Sequence, residues 1–232
     1  MFDRSVFGQV LTNMAGNPHR IREPHPKMFR SAFLLFPLLA LTGCGASTTI
    51  KHTASLKAAP LAKKTEVLSI CSGYGCVLRD KAAFTGRDLR RLRRIMASGR
   101  KSAASERRAV ARAIATMEKM TRAKTRFPKD LAKAKLRYNG RRGHMDCVDE
   151  SLNTTAYLRY LKRHGLLRFH TPDRRYAERG LIIDGRYPHK SASMRDRSGT
   201  RWTVDSWYGN TGVKPEIMLH SKWRTVRRGF NG

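Results

Sequence analysis

The stretch Gly-His-Met-Asp-Cys-Val-Asp-Glu-Ser-Leu, residues 143–152, places a cysteine at the start of a predicted helix. We expect Asp146 to cap this helix, because its carboxylate can accept a hydrogen bond from an unpaired N–H group of the first turn. Asp149 and Glu150 favour the same starting point, because the helix dipole is positive at its N-terminus. The stretch therefore predicts Cys147 at or near the first helical position.

The helix that starts at Cys147 continues with apolar residues at helical spacing as far as Gly165, which suits the position after a helix end. A thiol at the positive end of a helix loses its proton more easily, so we expect a lowered pKa and a better nucleophile at Cys147. The alternative is a structural thiol, because cysteine often packs as a small buried hydrophobic side chain. The stretch alone leaves both interpretations open.

The composition of the chain is strongly basic. Its 232 residues include 48 Lys and Arg against 17 Asp and Glu, which gives a formal net charge of +31. Such a charge indicates attraction to polyanions, whether nucleic acid, anionic lipid headgroups or acidic polymers of the cell envelope. A high arginine content can also reflect genome composition. The length and a hydrophobic content of 40% are compatible with one domain of ordinary size.

The N-terminal region contains the pattern of an export signal. Met28 offers a second start, and the apolar run at residues 32–40 is too short to cross a bilayer, so it predicts the core of a signal peptide. The run is followed by Leu41-Thr42-Gly43-Cys44, which resembles the bacterial lipoprotein box, in which the cysteine is lipidated and becomes the mature N-terminus. We therefore predict a lipoprotein signal peptide over residues 28–43 and a lipid on Cys44.

The predicted signal region spans residues 1–43 in all, and residues 1–27 are an untranslated extension if Met28 is the true start. Residues 44–66 are rich in Ala, Ser, Thr and Lys and show no apolar period, which is typical of a flexible tether. The folded domain is predicted over residues 67–232.

Cys71 and Cys76 stand at the two ends of a glycine-rich loop. An exported protein meets an oxidising compartment, so the two cysteines are expected to form a local disulfide. The cysteine count agrees, because Cys44 goes to lipid and Cys147 stays free. The alternative is a zinc pair, although the spacing is longer than in the usual knuckles and no second pair of this type follows.

Hydrophobic periodicity predicts helices before strands. The predicted helices cover residues 88–99, 105–124 and 147–164, with a short one over 130–138. After Gly165 the period changes to two, and the strands predicted there cover residues 166–170, 180–184, 187–195 and 200–207, with an earlier strand-like run at 67–70. Helices followed by strands predict the α+β class with a largely antiparallel sheet.

A nucleophilic thiol needs a base, and the base needs a group that orients it. Among the eight histidines, His189 has a carboxylate at strand spacing, because a hairpin turn at residues 196–199 separates it from Asp205. With a loop of odd length, or a bulge at the turn, the two residues would face each other with Cβ atoms about 4.5–5.5 Å apart. The alternative is an ordinary cross-strand pair. His144 lies near Cys147 in sequence, but no carboxylate stands in an obvious place to orient it.

The pattern Asp146-Cys147-x-Asp149, followed by His189 and then Asp205, resembles the bacterial transglutaminase-like cysteine proteinases. The resemblance covers roughly residues 140–210 and implies a papain-like/transglutaminase-like core. It implies that Cys147 is the nucleophile, that His189 is general base and acid, and that Asp205 orients His189. Members often have Glu-Asp after the cysteine, where this chain has Val-Asp. The tryptophan that follows the cysteine in animal transglutaminases is absent, which argues against protein cross-linking more than against thiol hydrolysis.

The sequence therefore predicts an exported lipoprotein, anchored to a membrane and facing the periplasm, that acts through a thioester on Cys147. Its expected reaction is hydrolysis of an amide bond in a protein or peptide substrate of the cell envelope, without a metal or cofactor. The second hypothesis is a non-catalytic basic protein of the same fold that binds an anionic envelope polymer or surface. Nucleic-acid binding is disfavoured, because export removes the protein from cytoplasmic nucleic acid.

Overall fold

A computed structural model describes residues 65–133, 135–180 and 188–226 of the chain. All of them belong to one compact unit. The predicted signal region, Cys44 and almost all of the predicted tether lie outside the described residues. No helix in the described part of the chain is both long and apolar enough to cross a bilayer.

The described residues form helices and antiparallel strands, which confirms the α+β class. In chain order the elements are β1 (Glu66–Ser72), β2 (Leu78–Phe84), α1 (Gly86–Ala97), α2 (Ala103–Thr125), α3 (Cys147–Arg163), β3 (His170–Pro172), β4 (Ala177–Arg179), β5 (His189–Asp196), β6 (Arg201–Asp205), β7 (Glu216–Leu219) and α4 (His220–Thr225).

The strands are paired in two antiparallel sheets. β1 and β2 form a hairpin, and the larger sheet has the order β3-β5-β6-β7, with β4 also paired to β5. Helix α3 packs against both β1 and β5. Buried side chains from the hairpin, the helices and the sheet form one hydrophobic core, which includes Ile70, Phe84, Ile114, Leu158 and Met194. This core packs α3 against the larger sheet.

Local sequence signals set the ends of the helices. Thr85 and Ser102 each form a capping box with the residue three positions later, at the starts of α1 and α2. Gly165 follows α3 with φ +68, a left-handed conformation that costs glycine little. The predicted position of Gly165 after the helix end is therefore confirmed.

The short helix predicted over residues 130–138 is wrong except for one 3₁₀ turn at Leu136–Tyr138. The backbone before that turn bonds to a distant loop instead of to itself. Asp130 N–H donates to the Thr211 hydroxyl at 2.9 Å, and Ala132 N–H donates to the Asn210 side chain at 2.7 Å. These long-range hydrogen bonds replace the local ones that a helix would make.

The strand predicted over residues 166–170 is also displaced, because β3 begins only at His170. The backbone N–H groups of Arg168, Phe169 and His170 all donate to the buried carboxylate of Glu106. The segment therefore wraps around that carboxylate and does not pair as a strand. Most of the strand predicted over residues 180–184 lies outside the described residues.

Candidate active site

Cys147 is the first residue of α3, as the sequence predicts. The Asp146 carboxylate accepts hydrogen bonds from Val148 N at 3.0 Å and Asp149 N at 2.9 Å. The Asp149 side chain accepts one from Asp146 N at 3.2 Å, which completes a capping box. The cap takes up the N–H groups of Val148 and Asp149 and does not use that of Cys147, whose thiol is free and partly buried.

The loop between Cys71 and Cys76 is fixed to this helix end by backbone donors. Tyr74 N–H donates to Asp149 Oδ2 at 2.8 Å, and Cys76 N–H donates to Asp149 Oδ1 at 2.7 Å. Gly75 N–H donates to Asp146 Oδ2 at 3.1 Å. Both capping carboxylates are therefore held from two sides, by the helix and by the loop, and this positions Cys147.

The predicted disulfide between Cys71 and Cys76 is confirmed. Within the described residues, these two cysteines and Asp149 are also the one group of three metal-binding side chains whose ligand atoms lie within 4.8 Å of one another. The two sulfurs are bonded to each other, and the loop N–H groups take both oxygens of Asp149. With the disulfide formed, neither sulfur can act as a thiolate ligand, so the zinc alternative does not describe this state of the loop.

His189 and Asp205 form a buried hydrogen-bonded pair. His189 Nε2 lies 2.8 Å from Asp205 Oδ2, and the two residues are 2% and 3% exposed. Trp223 Nε1 on α4 donates to the same oxygen at 2.8 Å. The carboxylate is therefore fixed by two donors and can hold the imidazole in one orientation.

The predicted register of this hairpin is wrong, because His189 does not directly face Asp205. Ala192 faces Val204, and continued along the strands this register puts Ser191 opposite Asp205. This register is set by the loop, in which three residues, 197–199, connect the paired residues Asp196 and Thr200, and Gly199 has φ +84. The pair therefore meets on the diagonal, where neighbours about 7–8 Å apart are still within reach of long side chains.

Three aromatic rings enclose the imidazole of His189. The ring centroids of Trp207, Tyr208 and Trp223 lie 4.7, 5.3 and 5.7 Å from that of the imidazole. The Nδ1 atom of His189 is buried and has no hydrogen-bond partner among the described residues. With Nε2 bonded to Asp205, Nδ1 is the nitrogen that can exchange a proton with a neighbouring group.

Cys147 carries a free thiol near the start of β5, and no hydrogen bond joins that thiol to His189 Nδ1. The backbone N–H of Lys190, the residue after His189, lowers the pKa of the thiol, and the charge of Asp205 raises it. The structure therefore joins two of the three residues that the sequence predicts for the site, His189 of β5 and Asp205 of β6, and places Cys147 at the start of α3, near Lys190 and Asp205.

The expected lowering of the Cys147 pKa is wrong in direction. Burial raises the pKa of the thiol to about 11, the Lys190 N–H opposes this rise, and the carboxylates of Asp146 and Asp205 add to it. The sequence showed the helix N-terminus but not the elements that cover the sulfur and remove its water. Cys147 is therefore a neutral thiol at pH 7.

His144 has a carboxylate neighbour that the sequence analysis did not find. Its Nδ1 lies 3.5 Å from Asp130 Oδ1, and its ring stacks on Tyr138 with centroids 4.1 Å apart. Burial lowers the pKa of His144, with Arg141 acting in the same direction, and burial raises the pKa of Asp130 to about 7. Asp130 comes from the segment for which the sequence predicted a helix, which is why this pairing was missed.

The sequence analysis also missed Trp223 and the rings around His189. Trp207 and Tyr208 follow Asp205 closely in the chain, so aromatic residues after the aspartate were an available signal. Trp223 lies 34 residues beyond His189 and reaches the site only because α4 packs on β6. No local pattern marks such a contact.

The chain matches no protein-family model, no curated protein and no solved structure. The resemblance to transglutaminase-like cysteine proteinases therefore stays a prediction, and the site is interpreted from its own atoms.

Proposed function

We propose that the protein is a transglutaminase-like cysteine hydrolase or acyltransferase that works through a thioester on Cys147. The observation that carries this proposal is the arrangement of His189, whose Nε2 bonds a buried carboxylate while its buried Nδ1 has no partner in the described part of the chain. A free thiol at a helix N-terminus lies beside the same strand. These are the parts of a nucleophile, a base and an orienting acid.

In the first half of the reaction, His189 Nδ1 takes the proton from the Cys147 thiol as the sulfur attacks the carbonyl carbon of the substrate. The raised pKa of the thiol makes this transfer concerted with attack, with His189 as general base. Asp205 stabilises the imidazolium that forms. The N–H of Cys147, which the cap leaves out, can donate to the developing oxyanion.

In the second half, the tetrahedral intermediate expels the amine, which takes the proton from His189 Nδ1, and an acyl thioester remains on Cys147. Water then gives a proton to His189 and attacks the thioester. The second tetrahedral intermediate expels the Cys147 sulfur, which takes that proton back from His189, so a carboxylic acid is released and the thiol is restored. An amine in place of water would give acyl transfer by the same steps.

The confirmed disulfide supports an oxidising location for the domain. We propose a lipid-anchored envelope protein that faces the periplasm, with Cys44 as the lipidated residue. Its substrate class is then the amide bonds of proteins or peptides in the cell envelope.

An activated ester tests this function without knowledge of the natural substrate. Mixing the disulfide-intact protein with p-nitrophenyl acetate should give a burst of p-nitrophenol equal to the enzyme concentration, and mass spectrometry should find the acetyl group on Cys147. Cys147→Ser should remove the burst. Absence of a burst in the wild-type protein, with the thiol verified as free, would contradict the proposal.

A second candidate is the non-catalytic basic protein, and α1 favours it. Four arginines at helical spacing, Arg87, Arg90, Arg91 and Arg94, are exposed on the face opposite the buried Leu92 and Met96. None of them forms an ion pair within the described residues. Salt-sensitive binding to vesicles of anionic phospholipid, combined with no ester burst, would select this candidate.

A further inference from the structure

A small cavity lies between α2, α3 and the segments at residues 127–128 and 211. Its volume of about 20 Å³ exceeds the roughly 10–15 Å³ that one water molecule requires, so it can hold a single water-sized group. Two carboxylates, from Glu118 and Glu150, line it together with the hydroxyl-bearing residues Thr121 and Tyr157. The chain has only 17 Asp and Glu against 48 Lys and Arg, so two glutamates that line one small cavity are a distinctive feature.

Glu118 is the unusual member of this lining. Its side chain is 8% exposed, and its Oε2 accepts a hydrogen bond from Gly212 N at 2.7 Å. Its other oxygen, Oε1, is buried and has no hydrogen-bond partner among the described residues. A buried carboxylate oxygen without a partner costs free energy, which a bound ligand would recover.

The second carboxyl group, of Glu150, interacts electrostatically with Glu118. Burial raises the pKa of Glu150 well above its ordinary value, and the charge of Glu118 is the next cause. Burial also raises the pKa of Glu118 to about 7. Neither residue forms an ion pair with a basic side chain in the part of the chain that the structure describes, although the exposed Arg122 lies at the cavity.

The donor atoms select the class of ligand. Thr121 Oγ1 accepts a hydrogen bond from the Tyr157 hydroxyl at 2.9 Å, so both oxygens already lie together at the cavity. Carboxylate and hydroxyl oxygens without thiolate or imidazole favour hard cations such as Ca²⁺ and Mg²⁺ over Zn²⁺ or Cu²⁺. A divalent charge would balance both carboxylates once the cation has displaced the protons that their raised pKa values favour.

We propose that this cavity is a binding site for one hard divalent cation, Ca²⁺ or Mg²⁺, held by the carboxylates of Glu118 and Glu150. The cation would join α2 to α3 one helical turn after Cys147. It would also lie close to Asp205, because the side chain of the next residue, Ser206, lies against the Glu118 carboxyl group. The site is structural and does not depend on the proposed acyl transfer.

Thermal unfolding of the full chain with its disulfide intact tests the site directly. The protein is stripped with a chelator and dialysed, and its Tm is measured at pH 7.5 with CaCl₂ or MgCl₂ against choline chloride at equal chloride concentration and ionic strength. One of the two cations should raise Tm by roughly 5 °C or more at a hundredfold excess over its Kd. Calorimetric titration should give one site per chain.

Two isosteric variants and one control locate the effect. Glu118→Gln and Glu150→Gln should each lose the cation-dependent rise in Tm. Both should remain at least as stable as the stripped wild-type protein, because each replaces a buried acid with a neutral group. Asp80→Asn removes one carboxylate on β2, outside the cavity, and should keep the rise. The proposal is overturned if neither cation shifts the wild-type Tm, or if both glutamine variants keep the shift.

Discussion

Replacing Asp205 by asparagine is expected to preserve the fold and to lower the acylation rate of Cys147 about 10³-fold. The amide oxygen can take the place of Oδ2 and still accept from His189 and from Trp223, so the packing and orientation survive. The hydrogen bond that would be lost is the long one, 3.4 Å, from Trp207 N–H to Asp205 Oδ1, where the variant has an amide nitrogen. What disappears is the negative charge beside the imidazolium that forms in the transition state.

The size of this effect follows from the geometry of the pair. Two unit charges about 4 Å apart at an effective dielectric constant of about 20 interact by about 4 kcal/mol. Each 1.36 kcal/mol changes a rate about tenfold, so the loss is about 10³-fold, with about 10⁴-fold as the upper end for a triad histidine that is also misoriented.

The burst rate with p-nitrophenyl acetate in stopped flow measures this effect, and Tm checks the fold. The matched control is Asp196→Asn, which removes a carboxylate at the far end of the same hairpin and should leave the burst rate within a factor of two or so. If Asp205→Asn acylates at more than about a third of the wild-type rate while Cys147→Ser is inactive, the pair of His189 and Asp205 is structural and the reasoning fails.

Four further predictions concern other parts of the chain. Replacing Cys71 and Cys76 by serine should lower the free energy of unfolding, measured by urea denaturation, by about 2 kcal/mol, because the disulfide closes a short loop. An unchanged free energy of unfolding would mean that the hydrogen bonds of the loop alone fix the start of α3. Burial raises the pKa of the Glu118 carboxyl group from 4.5 to about 7, so the folded state binds the proton of this group more tightly than the unfolded state does. The resulting stabilisation of about 3 kcal/mol is full below pH 4.5 and is lost as the pH rises through 7. Glu118→Gln should therefore flatten that part of the plot of Tm against pH in metal-free buffer. Because burial raises the Cys147 pKa to about 11, its alkylation by iodoacetamide, followed by mass spectrometry, should still accelerate above pH 9, and a plateau below pH 8 would show a preformed ion pair. Cys44→Ser should move the protein out of the membrane fraction, and an unmodified Cys44 in the mature wild-type protein would contradict the lipid anchor.

Features set by neighbouring residues could be predicted from the sequence. The cap at Asp146, the first helical position of Cys147 and the end of α3 before Gly165 all depend on groups within a few residues of one another. The disulfide could be predicted for the same reason, because its two cysteines close a loop of only six residues. The α+β class followed from the change of hydrophobic period, which is also a local property.

The chemical state of these residues was decided by tertiary structure. The pKa of Cys147 depends on how much water the surrounding elements remove, and helix position alone gave the wrong direction. The diagonal contact of His189 with Asp205 depends on the closure of the hairpin loop, and Trp223 reaches Asp205 from a helix distant in the chain. The hydration of a side chain and its long-range contacts depend on which elements pack around it, and the register of a strand depends on its partner. Desolvation and hydrogen bonding act through space, so the neighbouring residues in the sequence do not determine them.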